Sequence, residues 1–368
     1  MNELKIGNLT VKLPIIQGGM GVCVSLSGLA SAVANEGGIG VISAVGIGMT
    51  DPDFRKNFRA ANKEALKKEI RKARSKTNGI IGVNIMMAVS DFDDLLEVAL
   101  KEHIDVVFIG AGLPLKKPSK IDSSLLEISN TKIIPKVSSA RAAKLIFQYW
   151  SQKYNRVPDA IVLEGPLAGG HIGFKKNEIL EPEKTLESIL QATLPIIQDF
   201  EQKYGIEIPI IAGGGINSGK DIWKIMSLGA KGVKMGTRFV TTHECDASIE
   251  FKQNYLSCSP GDITIIDSPV GLPGRVITNN FVQEIQTGKQ KPINCSWKCL
   301  KTCDFKKVQF CIADALFNAA IGNFKNGFSF AGTQAYLAEK IISVKETINQ
   351  LKSEYLQEHF RVEIMKRQ

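Results

Sequence analysis

Long hydrophobic runs, histidine and aromatic residues are all scarce in this 368-residue chain. No stretch approaches the ~18 uninterrupted apolar residues of a membrane span, and residues 1–14 lack the basic and apolar regions of a secretory signal. The expectation is a cytoplasmic protein with no membrane partner. Seven cysteines are an odd number, and without a secretory signal they read as thiols or metal ligands in a reducing compartment, not as a disulfide framework. The net charge is +9, yet the lysines are scattered over 63–76, 101, 116–120 and 298–307 with few aromatics between them. That pattern speaks against nucleic acid as a partner and fits attraction for anionic small molecules. Four histidines leave few candidates for proton exchange near neutral pH.

What is present is ordinary globular composition, 44% hydrophobic and 23% charged, arranged with a clear period. Short apolar runs, each followed by a turn and a longer amphipathic stretch, recur as repeated βα units. Strands are expected at 15–17, 39–43, 80–85, 106–109, 132–137, 160–164, 209–212 and 232–235. Helices are expected at 27–35, 53–76, 91–101, 139–152, 183–200 and 218–228, leaving the connection at 114–130 without one. Eight such units predict an α/β fold, a closed (β/α)8 TIM barrel, more than an open sheet. Glycines inside two of the strands, Gly40 among them, mark either tight packing or close approach of a ligand. The alternation stops after Val240, so the expected division is a barrel at 1–261 and a partly helical appendage at 262–368, ending in a helix over 335–351.

In such barrels the site lies at the C-terminal ends of the strands, with phosphate in the turns after the seventh and eighth. Both turns are glycine-rich here: Gly213, Gly214 and Gly215 after the seventh strand, Gly236 and Thr237 after the eighth. Without Cβ atoms the backbone N–H groups can approach phosphate oxygens closely. Arg238 reads equally as a phosphate partner or as a rim residue. The first strand and its turn, PIIQGGMG at 14–21, place Gln17, Gly19 and Met20 as a wall for a flat ligand. Asn84 ends the third strand with a donor and an acceptor; Lys136 ends the fifth, either contacting a ligand or capping locally. His171, flanked by Gly170 and Gly173 in the loop after the sixth strand, is the candidate acid–base group. His103, His243 and His359 sit among charged segments and read as surface residues.

Together PIIQGGMG, GVNIM, EGPLAGGHIGF, IAGGGI and KMGTRF resemble the nitronate monooxygenases, also called 2-nitropropane dioxygenases. The resemblance covers about 10–245 and the SPVGLPGR segment at 268–275. It implies FMN as cofactor, contacted by Gln17, Gly19, Met20, Asn84, Lys136, Gly170, Gly213, Gly214, Gly215, Gly236 and Thr237, with His171 as the catalytic histidine. The implied reaction is oxidation of a small-molecule alkyl nitronate with O2, or another electron acceptor, to a carbonyl compound and nitrite. Flavin-dependent enoyl-acyl-carrier-protein reductases share the same motifs, which makes an NAD(P)H-dependent reductase the alternative. A noncatalytic flavin-binding partner subunit is the third reading, and self-association as a homo-oligomer is left open.

One segment lies outside this scheme. Cys295, Cys299, Cys303 and Cys311 have C-x3-C-x3-C-x7-C spacing. On a helix the first three sulfurs share one face, and the fourth completes a thiolate site for an iron–sulfur cluster or zinc. The alternative is buried thiols acting as small hydrophobes.

Overall fold

The structure, a computed structural model, describes residues 1–115, 129–289, 291, 293, 295 and 297–366. The connection at 114–130 lies largely outside these residues. A hairpin of β1 (Leu4–Ile6) and β2 (Leu9–Val11) precedes the barrel. The barrel strands are β3 (Ile15–Gln17), β4 (Ile39–Ser43), β5 (Ile80–Met86), β6 (Val106–Gly110), β7 (Lys132–Val137), β8 (Ile161–Glu164), β10 (Ile210–Gly213) and β11 (Gly232–Met235). All pair in parallel, and β8 to β10 and β11 to β3 close the ring. A (β/α)8 TIM barrel is thus the observed fold. Strands such as β4 and β6 are buried at every position, as expected of a parallel sheet covered by helices on its outside and filled by side chains within.

The outer layer comprises α1 (Ser27–Asn35), α2 (Phe58–Arg74), α3 (Phe92–Lys101), α4 (Ala140–Tyr154), α5 (Leu186–Tyr204) and α6 (Gly219–Ser227). Local sequence starts most of them: Asn57 caps α2, Ser139 caps α4, and capping boxes from Thr185 with Ser188 and Ser218 with Asp221 open α5 and α6. The 53–57 stretch expected to be helical forms turns, because Asn57 delays the start of α2. A Cβ at Gly40 would collide with the Ala30 backbone of α1, so that glycine serves packing.

After β11 come α7 (Thr237–Val240) and α8 (Ile249–Leu256), then β12 (Ile263–Asp267) and β13 (Pro273–Ile277), α9 (Asn280–Gln286), α10 (Ile312–Ala320) and α11 (Val344–Met365). The terminal helix therefore begins nine residues later than the expected 335 and runs to Met365; Ser343 and Glu346 form the capping box that starts it. α11 packs against α6 and α1. Gly219 allows the close approach: a Cβ there would strike the backbone of Leu351 and Tyr355. β13 pairs antiparallel with both β12 and β9 (Gly170–His171), the two-residue strand in the loop after β8. Among the described residues, no helix is long and apolar enough to cross a membrane.

α1 has Leu26 at its N-cap position and no capping side chain of its own. Asp246, beyond the last barrel strand, supplies one: its carboxylate accepts from Leu26 N at 2.7 Å, Gly28 N at 3.0 Å and Leu29 N at 3.1 Å. This clasp joins the first and last βα units. Asp246→Ala leaves three donors unsatisfied, and a loss of about 2 kcal/mol is expected. A urea titration should show the lower midpoint with an unchanged slope, whereas an unchanged midpoint would remove Asp246 from the clasp.

Candidate active site

At the C-terminal ends of the strands the barrel opens into a cavity of about 420 Å³, within the range of small-molecule sites. The structure brings together Gly19, Met20, Asn84, Lys136, Gly170, His171, Gly213, Gly214, Gly215, Gly236 and Thr237 around it. Gln17 is fully buried away from that lining: its Oε1 accepts from Val41 N at 2.8 Å and its Nε2 donates to Gly18 O. It secures β3 to β4 instead of facing the cavity.

The turn after β10 is shaped as an anion cradle. Gly214 and Gly215 have φ of +92° and +81°, and a Cβ on Gly214 would lie 2.8 Å from Gly165 O. Among the described residues, the N–H groups of Gly214, Gly215 and Ile216 have no acceptor in the chain. Consecutive unpaired donors on left-handed glycines are what a phosphate group requires. Across the opening, a Cβ at Gly19 would overlap the Asn84 side chain, so that glycine lets the first turn lie flat against β5. Arg238 turns outward, donating to Gln350 Oε1 of α11 at 2.6 Å, and belongs to neither the cradle nor an ion pair.

The charged part of the site sits between β7, β8 and β11. Lys136 Nζ donates to both oxygens of Glu164, at 2.7 and 2.9 Å. Lys234 of β11 lines the same cavity, with its Nζ 5.4 Å from the Phe108 ring centre. Burial, with the charge of Lys136 adding to it against Glu164, pulls the Lys234 ammonium down to about 8.

His171 is held on three sides. Its Nε2 lies 2.7 Å from Ser268 Oγ, its ring meets Phe330 edge-on at 4.8 Å between centres, and its backbone pairs with Gly274 of β13. Arg275, 5% exposed, donates to Pro166 O at 2.8 Å and to Ala168 O, fixing the loop that leads to the histidine. Burial first, and Lys136 second, push the imidazole down to about 4. Ser268, Phe330 and Arg275 all come from chain beyond residue 262, and only SPVGLPGR hinted at two of them. Lys234 carries its own sequence signal, a charged residue within a short apolar barrel strand.

The four cysteines are not arranged along one helix face as expected. They surround one small cavity with Ile293, Leu300 and Val308, but among the described residues no group of three or more His, Cys, Asp or Glu side chains is arranged to hold a metal ion. Among the described residues of 295–303, no helix forms. Residues 299–301 run extended instead: Leu300 bridges Val89, Ser90 N donates to Cys299 O, and Lys301 N donates to Ala88 O, both at 2.9 Å. Cys295, Cys299, Cys303 and Cys311 are free, and burial pushes the thiols of Cys299 and Cys311 up to about 11 and 12. Cys299 and Cys311 are therefore protonated at neutral pH and act as packing groups.

With this geometry in place, the family model for nitronate monooxygenase matches residues 2–354. The chain belongs to the nitronate monooxygenase family. It is 28% identical over 310 residues to a probable nitronate monooxygenase of Staphylococcus aureus, covering 75% of this chain and 78% of that one. A (3aS,4S,5R,7aS)-5-hydroxy-7a-methyl-1-oxo-octahydro-1H-indene-4-carboxyl-CoA dehydrogenase of Rhodococcus jostii is 26% identical over 276 residues, 75% of this chain but only 65% of that relative's length. Among solved structures, FabK from Thermotoga maritima superposes with a TM-score of 0.74 at 27% identity, covering 96% of both chains. Membership of the nitronate monooxygenase family makes the chain an oxidoreductase of a flavin-dependent lineage.

The site's electrostatics make a direct prediction. His171 should stay neutral from pH 8 down to about pH 5 and take up its proton only near pH 4. Because an unfolded histidine titrates near 6.5, the chain gives up stability as pH falls from about 6.5 towards 4 and no more below that. With four histidines, an NMR titration assigned through His171→Asn can follow this one; a midpoint near 6.5 would contradict the buried placement.

Proposed function

We propose that this chain binds FMN at the barrel mouth and oxidises alkyl nitronates with O2 to carbonyl compounds and nitrite. The observation that carries the reading is the unpaired glycine cradle beside a neutral, clamped histidine in one cavity. Gly213, Gly214 and Gly215, with Gly236 and Thr237, would hold the phosphate; Asn84, Lys136, Gly19, Met20 and Gly170 would border the ring. When bound, FMN supplies an electron acceptor for the substrate and an electron donor for oxygen.

The remaining work falls to residues of the chain. A histidine whose protonated form exists only below about pH 4 is a weak base for a carbon-bound proton at neutral pH. It serves better to orient a substrate that is already an anion, which favours the nitronate over the neutral nitroalkane. Ser268 shares a proton with His171 Nε2 and fixes the ring direction. The Lys136–Glu164 pair and Lys234 together carry net positive charge towards the same space.

The second reading is an NAD(P)H-dependent flavin enoyl-acyl-carrier-protein reductase, favoured by the match to FabK over nearly the whole length. Anaerobic mixing separates the readings: bleaching of the flavin by propionate-3-nitronate or 2-nitropropane nitronate is the expected result. Bleaching by NADH or NADPH with turnover of a crotonyl thioester would replace the proposal with the reductase, and no bleaching by any of them would leave a noncatalytic flavin protein.

Two variants refine the assignment. Gly214→Ala should bind FMN at least ~10-fold more weakly in a fluorescence titration, since its Cβ meets the Gly165 carbonyl at a left-handed φ. His171→Asn should keep its FMN yet lose ~10²-fold or more in kcat/KM for the nitronate. Full activity of the flavin-loaded His171→Asn enzyme would remove the histidine from the reaction.

A further inference from the structure

The interior of a TIM barrel is ordinarily filled by layers of branched apolar side chains, and an ammonium group placed there is costly unless something offsets it. Lys234 is such a group. It sits in β11 opposite Gly213 of β10, directly before Met235, Gly236 and Thr237, and reaches across the barrel to the face of Phe108 in β6. The charges of Lys136 from β7 and Glu164 from β8 act on it, and His171 of β9 lines the same cavity. Glu164 gives both carboxylate oxygens to Lys136. Among the described residues, Lys234 has no carboxylate within ion-pair distance, and its ammonium rests on an aromatic ring face. The cluster therefore holds two cations, one carboxylate and a neutral imidazole, a net charge of one positive unit beneath the cavity.

A flavin ring is neutral when oxidised and gains negative charge on its pyrimidine side when reduced. A fixed cation in a water-poor site stabilises that charge more than it would in water. We propose that Lys234 sets the reduction potential of the bound flavin, its ammonium stabilising the reduced ring from inside the barrel mouth. The inference rests on the FMN reading above. Lysine suits the place because its ammonium, titrating at about 8, is still charged at neutral pH, and the Phe108 face replaces part of its lost hydration.

The test is a redox titration of the flavin-loaded chain at pH 7 against a reference dye, together with the dissociation constant of oxidised FMN from fluorescence quenching. Lys234→Met and Lys234→Gln should bind oxidised FMN nearly as the wild type does. Reduced FMN should be bound at least tenfold more weakly relative to oxidised FMN, a fall of about 30 mV for a two-electron couple. Lys234→Arg, which keeps the charge, should recover most of that fall. Equal potentials for flavin-loaded wild type, Lys234→Met and Lys234→Gln would overturn the inference while leaving the FMN reading intact. A wild-type chain that takes up no flavin would overturn both.

Discussion

Arg275 buries a guanidinium where no carboxylate lies within ion-pair distance among the described residues, and hands it to the carbonyl oxygens of Pro166 and Ala168. Burial pulls that guanidinium down to about 10, so the charge persists at neutral pH and the carbonyls must offset its lost hydration. The same strand, β13, pairs with Gly170 and His171, and Ser268 in the preceding turn meets the imidazole. A barrel alone would leave the loop after β8 exposed. The chain beyond residue 262 returns to the barrel mouth and converts that loop into a fixed wall carrying the histidine.

The site thus joins two kinds of order. The glycine turn is built from backbone, with glycines at left-handed φ and donors left unpaired, and it is local to the ends of β10 and β11. The charged side of the cavity is built from side chains contributed by distant segments: Lys136 and Glu164 from adjacent strands, Lys234 from β11, Ser268 and Phe330 from after the barrel. The Asp246 clasp and the packing of α11 on Gly219 close the ring near its first and last units, supporting the turns after β3 and β11.

The barrel was legible because its information is periodic. Short apolar strands such as 39–43 and 132–137 have the same bounds in the structure, and the glycine turns stand where the fold requires them. Helix ends were legible only as far as caps were: α2 starts late because of Asn57, and the terminal helix starts at Ser343 because the Glu346 partner lies there. Long-range pairing was not legible. Ser268 lies 97 residues from His171, and the SPVGLPGR motif that contains it does not say what it pairs with. Gln17 carries a motif position yet turns into the wall, since Val41 N needs an acceptor. The cysteine spacing suggested a helix that the extended pairing of Leu300 with Val89 prevents.

β13 holds the His171 loop in place through the Arg275 guanidinium. Hydrogen–deuterium exchange of the Arg275→Met variant tests this anchoring most directly, because local opening is reported segment by segment. Faster exchange is expected in residues 165–173 and 270–277, with a smaller change in the turns at 213–216 and 236–237. Unaltered exchange in 165–173 would contradict it.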